Sequence, residues 1–161
     1  MKKIFLTFAT AALFSVTAFA AGGGKKATET TTATASYTVT QEFNADFSGA
    51  QSVVWTVDKN CQKADFIIDG VKKTAFYNLA GDFLGTTQIV GYNAIPAKSQ
   101  QLIAENYKDY NASGVIVFQA NVSVNDTIDP TSYFVDLKSD KHEVLVRVTS
   151  TGGVDFFEQV K

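Results

Sequence analysis

Short stretches of β-branched and aromatic residues, cut again and again by turn residues, constrain this chain more than any other feature. Asp69-Gly70 and Gly81-Asp82 punctuate the first group and predict strands over 53–57, 64–69, 73–79 and 83–92. The segment 125–131, Ser139-Asp140 and Gly152-Gly153 separate a second group over 115–124, 132–138, 142–149 and 154–160. Within it Val144, Val146 and Val148 alternate with Glu143, Leu145 and Arg147, the period of a strand with one face buried.

Two segments break this pattern. Thr40 can cap a helix, Glu42 and Asp46 suit its first turns, and Phe43, Phe47 and Ala50 recur at helical spacing, which predicts a helix over about 41–51. Ile95-Pro96 predicts a second start, with proline at the first helical position and Ile95 as a staple. There Leu102, Ile103, Tyr107 and Tyr110 line one face, and Lys98, Gln101, Glu105 and Lys108 the other. The order helix, four strands, helix, four strands reads as a degenerate duplication. The expectation is an α+β fold of two helix-plus-antiparallel-four-strand repeats, with the helices packed on one face of the sheet.

The N-terminus reads as an export signal. Lys2 and Lys3 precede an uncharged apolar run to Ala20, and Ala18-Phe19-Ala20 places small residues where a signal peptidase reads them, so cleavage is expected after Ala20. No cysteine follows to accept a lipid. Residues 21–39, rich in Gly and Thr, form the expected flexible leader, and 40–161 the domain. No later apolar run reaches spanning length, so no membrane insertion is expected once the signal is removed, and the compartment is periplasmic or extracellular.

Charge and composition exclude several functions. The signal holds two of the 14 basic residues and none of the 16 acidic ones, which leaves the mature chain at −4 with one arginine, Arg147. Phosphate binding rests on clustered Lys and Arg, so nucleic acid is not an expected partner. Cys61 is the only cysteine and His142 the only histidine, far apart in sequence, with no motif around either. Asp58, Asp65, Asp69 and Asp82 stand singly, without the spacing of a calcium loop. Gly81 and Gly85 lack the rest of a phosphate-binding loop and read as turn or bulge residues. No catalytic, metal or cofactor residues are assigned, and no cofactor is expected. Asn111, Asn121 and Asn125 open glycosylation sequons, and Asp126-Thr127-Ile128 is similar to a short O-glycosylation signal; chance accounts for both.

Several motifs carry a resemblance. Phe47-Ser48-Gly49-Ala50 through Val54-Trp55, Ala64-Asp65-Phe66, Ala75-Phe76-Tyr77, Gly81 and Gly85, Ile95-Pro96, Ile103, Tyr107 and Tyr133-Phe134-Val135 together resemble the PepSY-like, beta-lactamase-inhibitor-like family over about 43–157. Ile95 stands where that family usually has leucine. The resemblance implies a small exported protein of Bacteroidetes type built of helix-plus-antiparallel-sheet repeats. Similar folds include inhibitors that grip an enzyme with a sheet surface.

Strand parity then singles out binding candidates. If Ala75, Tyr77 and Leu79 face the helices, Phe76 points to the other face; by the same logic Phe134 and Phe157 point there too. Asn78, Gln119, Asp136 and Lys138 are expected to rim this aromatic patch. Trp55 reads as a core anchor. The functional expectation is a non-catalytic exported binding module, a binder or inhibitor of a protein or peptide in the envelope or outside the cell. The alternative is a structural or envelope accessory protein without a specific ligand, and an enzyme is the remote third reading.

Overall fold

The computed structural model describes residues 34–123 and 127–161. The signal segment, the leader up to residue 33, and Asn125 and Asp126 of the third sequon lie outside the described residues. The elements run α1 (Tyr37–Asp46), β1 (Gln51–Val57), β2 (Gln62–Ile68), β3 (Val71–Tyr77), β4 (Phe83–Val90), α2 (Ala97–Asn106), β5 (Asn111–Ala120), β6 (Thr131–Lys138), β7 (Glu143–Thr149) and β8 (Val154–Gln159). A short 3-10 turn, Tyr92–Ala94, leads into α2. No described helix is long and apolar enough to cross a membrane.

The eight strands form one antiparallel sheet in sequential order. This corrects the expected division into two four-strand repeats, because β4 and β5 pair directly, from Gly85 opposite Ala120 to Val90 opposite Val115. Two separate sheets would leave four edges of unpaired N–H and C=O groups; joining β4 to β5 removes two of them. The connection through α2 is long enough to return the chain antiparallel beside the strand it left.

Local chemistry sets the helix starts. Ser36, not Thr40, caps α1: its side chain accepts from the Val39 N–H at 3.3 Å, while Thr40 Oγ1 donates to the Tyr37 carbonyl within the helix. The helix therefore begins a turn earlier than expected; it ends at Asp46 with Phe47 as C-cap, and Gly49 takes φ +135° in the turn that follows. Pro96 is the N-cap of α2, one place before its first helical residue, and the buried Ile95 precedes it. Asp69 and Gly70, both at positive φ, make the tight β2–β3 turn that their sequence signals.

Both helices lie on one face. Val39 and Phe43 of α1 pack on Ala64, Phe66, Ala75 and Tyr77. Ile103 of α2 packs on Val115, Val135, Leu137, Val144, Val146 and Val148. The register carries Ala75 through Thr86 to Gln119, two residues in step with Val115 through Val117, so these positions share a face. Thr86 and Gln88 occupy the middle of that face, and polar residues there divide the core into two clusters.

The clusters differ in kind. The first is aromatic: Phe43 meets Phe66 at 5.0 Å and Trp55 at 5.3 Å, both edge-on, and Trp55 reaches Tyr77 at 6.0 Å. Trp55 is thus a core residue on an edge strand. The second is mostly aliphatic, with Tyr107 and Tyr110 edge-on at 5.8 Å beside it. Each fully buried large side chain stabilises the fold by about 1.5–3 kcal/mol.

Candidate functional site

The candidate site is the sheet face that carries neither described helix. Cross-strand register assembles it in rows. One runs Ile89, Ile116, Phe134, Arg147, Asp155 from β4 to β8. A second runs Val54, Asp65, Thr74, Thr87, Phe118, Ser132, Thr149 from β1 to β7. A third holds Lys63, Phe76, Gly85 and Ala120.

Phe76, Phe134 and Phe157 fall on this face, but they do not form one cluster. Phe134 and Phe157 meet edge-on at 5.0 Å. Phe157 reaches this position as the extra residue of a bulge, where β8 places Phe156 and Glu158 opposite the consecutive Val146 and Leu145. Phe76 lies three strands and two rows from Phe134, roughly 20 Å by standard strand spacings. The exposures differ as well: Phe76 is 6% exposed and Phe157 37%.

Between them stands Phe118, which parity reasoning passed over. The ring of Phe118 covers Gly85, since a Cβ built there would sit 3.0 Å from its edge. Ile116 and Leu145 are buried on the same face. A wholly apolar strand such as 115–118 carries no inward or outward label, and the only usable signal was that Val115 and Val117 alternate with Ile116 and Phe118. Gln119, expected on the rim, belongs to the helix face opposite Thr86. Asn78 follows β3 and is engaged in the β3–β4 turn, where its Nδ2 donates to Asp82 at 2.7 Å.

Asp136 and Lys138 do share the face with Phe134. A register shift between Ala112 and Gly114 leaves Ser113 as an extra residue in β5, and its hydroxyl donates to Asp136 Oδ2. Lys138 Nζ lies 3.0 Å from the same oxygen and 3.2 Å from Glu143 Oε1. Those two hydrogen bonds raise the Lys138 pKa above its ordinary value. Asp136 is 3% exposed, and its Oδ1 has no partner. Arg147 pairs with Asp155 at 3.1 Å beside the two phenylalanines. The face therefore offers an apolar diagonal with charged pairs along the β6–β8 side.

An open cleft of about 710 Å³ adjoins this corner, lined by Tyr110, Ser113, Lys138, Asp140 and His142 among others. Ser113 donates to Asp136, and Ser139 Oγ donates to the His142 backbone carbonyl, so neither hydroxyl is bonded to the imidazole. Among the described residues no three His, Cys, Asp or Glu side chains gather as metal ligands.

No family model and no curated protein matches the chain. Solved structures do. A BLIP-like protein of Bacteroides fragilis NCTC 9343 superposes with a TM-score of 0.64 at 16% identity, over 78% of this chain and 86% of its own. A DUF2874 family protein of Bacteroides uniformis ATCC 8492 gives 0.69 at 15%, over 79% and 91%. A protein of Bacteroides eggerthii DSM 20697, proposed to be periplasmic, gives 0.65 at 14%, over 79% and 88%. At such identities the likeness establishes the fold, which is BLIP-like.

Proposed function

We propose that this chain is a periplasmic, non-catalytic binding protein that captures a protein or peptide on the helix-free face of its sheet. Phe134 and Phe157 form the contact, while Phe76 at the far end of the face is 6% exposed and presents little surface to a partner. The observation that carries this reading is the edge-on Phe134–Phe157 pair, set on that face beside the Arg147–Asp155 ion pair. Aromatic anchors with a charged rim are the composition of a recognition surface. The solved neighbours add support: one is described as BLIP-like and another as a proposed periplasmic protein. The reading rests on the beta-lactamase-inhibitor-like side of the sequence resemblance.

The test is comparative capture from the native envelope fraction. Wild type and a Phe134→Ser/Phe157→Ser variant of unchanged circular dichroism are immobilised in parallel, and what each retains is identified by mass spectrometry. The expected outcome is a protein retained by the wild type alone, with binding weakened at least tenfold in the variant when that protein is purified. Identical retention by both overturns the assignment.

A further inference from the structure

Among the described residues the sheet has two edges, β1 and β8, and they are guarded unequally. β8 has a bulge at Phe157 in mid-strand and carries two carboxylates, Asp155 and Glu158. Bulges and charges blunt an edge, because an added strand loses register or must desolvate and repel like charge. β1 has little of this. Gln51–Val57 contains no charged residue and no proline, and its irregularity lies at the start, where Ser52 takes φ +54° and the register shifts before Val54. From Val54 to Val57 the ladder to β2 is regular, and Val54 is 58% exposed. A regular, uncharged, β-branched edge is a template for another strand.

We infer that β1 is a pairing edge and that its occupant is a second copy of this chain, added antiparallel. The strand is complementary to itself. A pairing centred on Trp55 sets Val54 opposite Thr56 and Val53 opposite Val57, β-branched against β-branched with no charge in the contact. The same operation on β8 gathers four carboxylates, Asp155 and Glu158 from each copy, onto one short strand pair. A two-fold axis perpendicular to the sheet produces the β1 contact, so the interface is isologous and closed. That axis also leaves the helix-free faces of both copies on the same side, and one continuous sheet then presents two aromatic diagonals. The contact is distinct from the face proposed above for capture, and either assignment stands without the other.

A single strand pair lies at the small end of specific interfaces, which start near ~1,200 Å² in all, so association in about the micromolar range is expected. Sedimentation equilibrium of the protein in its exported form, across that range, should show a mass rising from one chain toward two. Val54→Lys places like charges near the two-fold at an exposed position and should weaken association at least tenfold with the melting temperature unchanged. Val160→Lys beside the opposite edge should leave the dimer intact. A wild-type mass of one chain throughout overturns the inference. So does a dimer that survives Val54→Lys, since its contact must then lie elsewhere.

Discussion

Phe134 of β6 and Phe157 of β8 touch edge-on at 5.0 Å across an intervening strand. The backbones of strands two apart are about 10 Å from one another, so both rings lean over β7, above the Arg147 backbone that pairs with Phe134 on one side and Asp155 on the other. The bulge at Phe157 makes this reach possible. An edge-on aromatic pair is worth about 0.5–1.5 kcal/mol beyond the area it buries. A double-mutant cycle with Phe134→Ala, Phe157→Ala and both together, read by urea unfolding, should return a coupling of about 1 kcal/mol. Strict additivity would mean that the rings do not meet in solution.

Two residues along β6 from Phe134, the Asp136 carboxylate depends on its partners. Lys138 is 48% exposed, and an exposed ion pair alone contributes at most about 1 kcal/mol. Its partner is nearly inaccessible, however, and removing the ammonium leaves a buried charge held by Ser113 alone. Lys138→Met should therefore cost about 2–3 kcal/mol, more than Asp136→Asn, which removes the charge together with the pair. The hydrogen bonds from Lys138 to Asp136 and Glu143 raise the lysine pKa in the folded state. Its contribution is complete below the ordinary lysine value of 10.5 and is lost as pH rises through the folded value. The stability advantage of wild type over Asp136→Asn should therefore shrink as pH rises from about 9 to about 11.5, read from unfolding free energies of the two.

Much of the fold was legible because alternation and helical spacing report burial directly. Ala64 and Phe66, Ala75 and Tyr77, and Val144, Val146 and Val148 all face the helices as their period requires. Alternation says which face a residue takes and nothing about which strand lies beside it. The β4–β5 pairing that fuses eight strands into one sheet is a long-range choice made by unsatisfied edges, and no residue near Gly85 or Ala120 announces it. For the site, parity assigned Phe134 and Phe157 to one face, but the bulges that bring their rings together and turn Ser113 toward Asp136 are one-residue slips without a sequence signature. Gln119 was misassigned for a related reason: its strand is apolar on both sides, so a count from either end gives no phase.

Gly85 is where that seam is least tolerant. Its φ is +144°, and a Cβ there would lie 2.3 Å from the Gln119 carbonyl oxygen and 3.0 Å from Ala120 Cα, both backbone atoms of β5. Neither can yield without opening the β4–β5 ladder. Gly85→Ala should cost more than about 3 kcal/mol, combining strained backbone with a forced separation of strands. Gly70→Ala is the control: at φ +75° with no atom within 4 Å of the new carbon, it should cost about 1 kcal/mol, from conformation alone. Equal chemical denaturation midpoints for the two variants would contradict the close β4–β5 approach.

Cys61 should be unreactive for a reason that can be reversed. Burial, then the neighbouring Asp58 charge and the hydrogen bond from Sγ to Asp58 Oδ2, push its thiol from the ordinary 9.0 to about 11. Burial raises the Asp58 pKa too, but the Asn60 and Cys61 N–H groups, donating at 2.7 and 2.9 Å, outweigh it and keep the carboxylate ionised. The thiolate is the nucleophile, so at pH 8 its population is about a hundredfold below that of an ordinary thiol. Iodoacetamide should label the folded chain about a hundredfold more slowly than the urea-unfolded chain. Asp58→Asn keeps an acceptor for the turn while removing the charge, and should recover part of that rate. Because folding raises this pKa, the unfolded chain releases its proton first, and stability should fall as pH rises from about 9 through about 11. Equal labelling rates before and after unfolding would show that neither burial nor Asp58 holds the thiol protonated in solution.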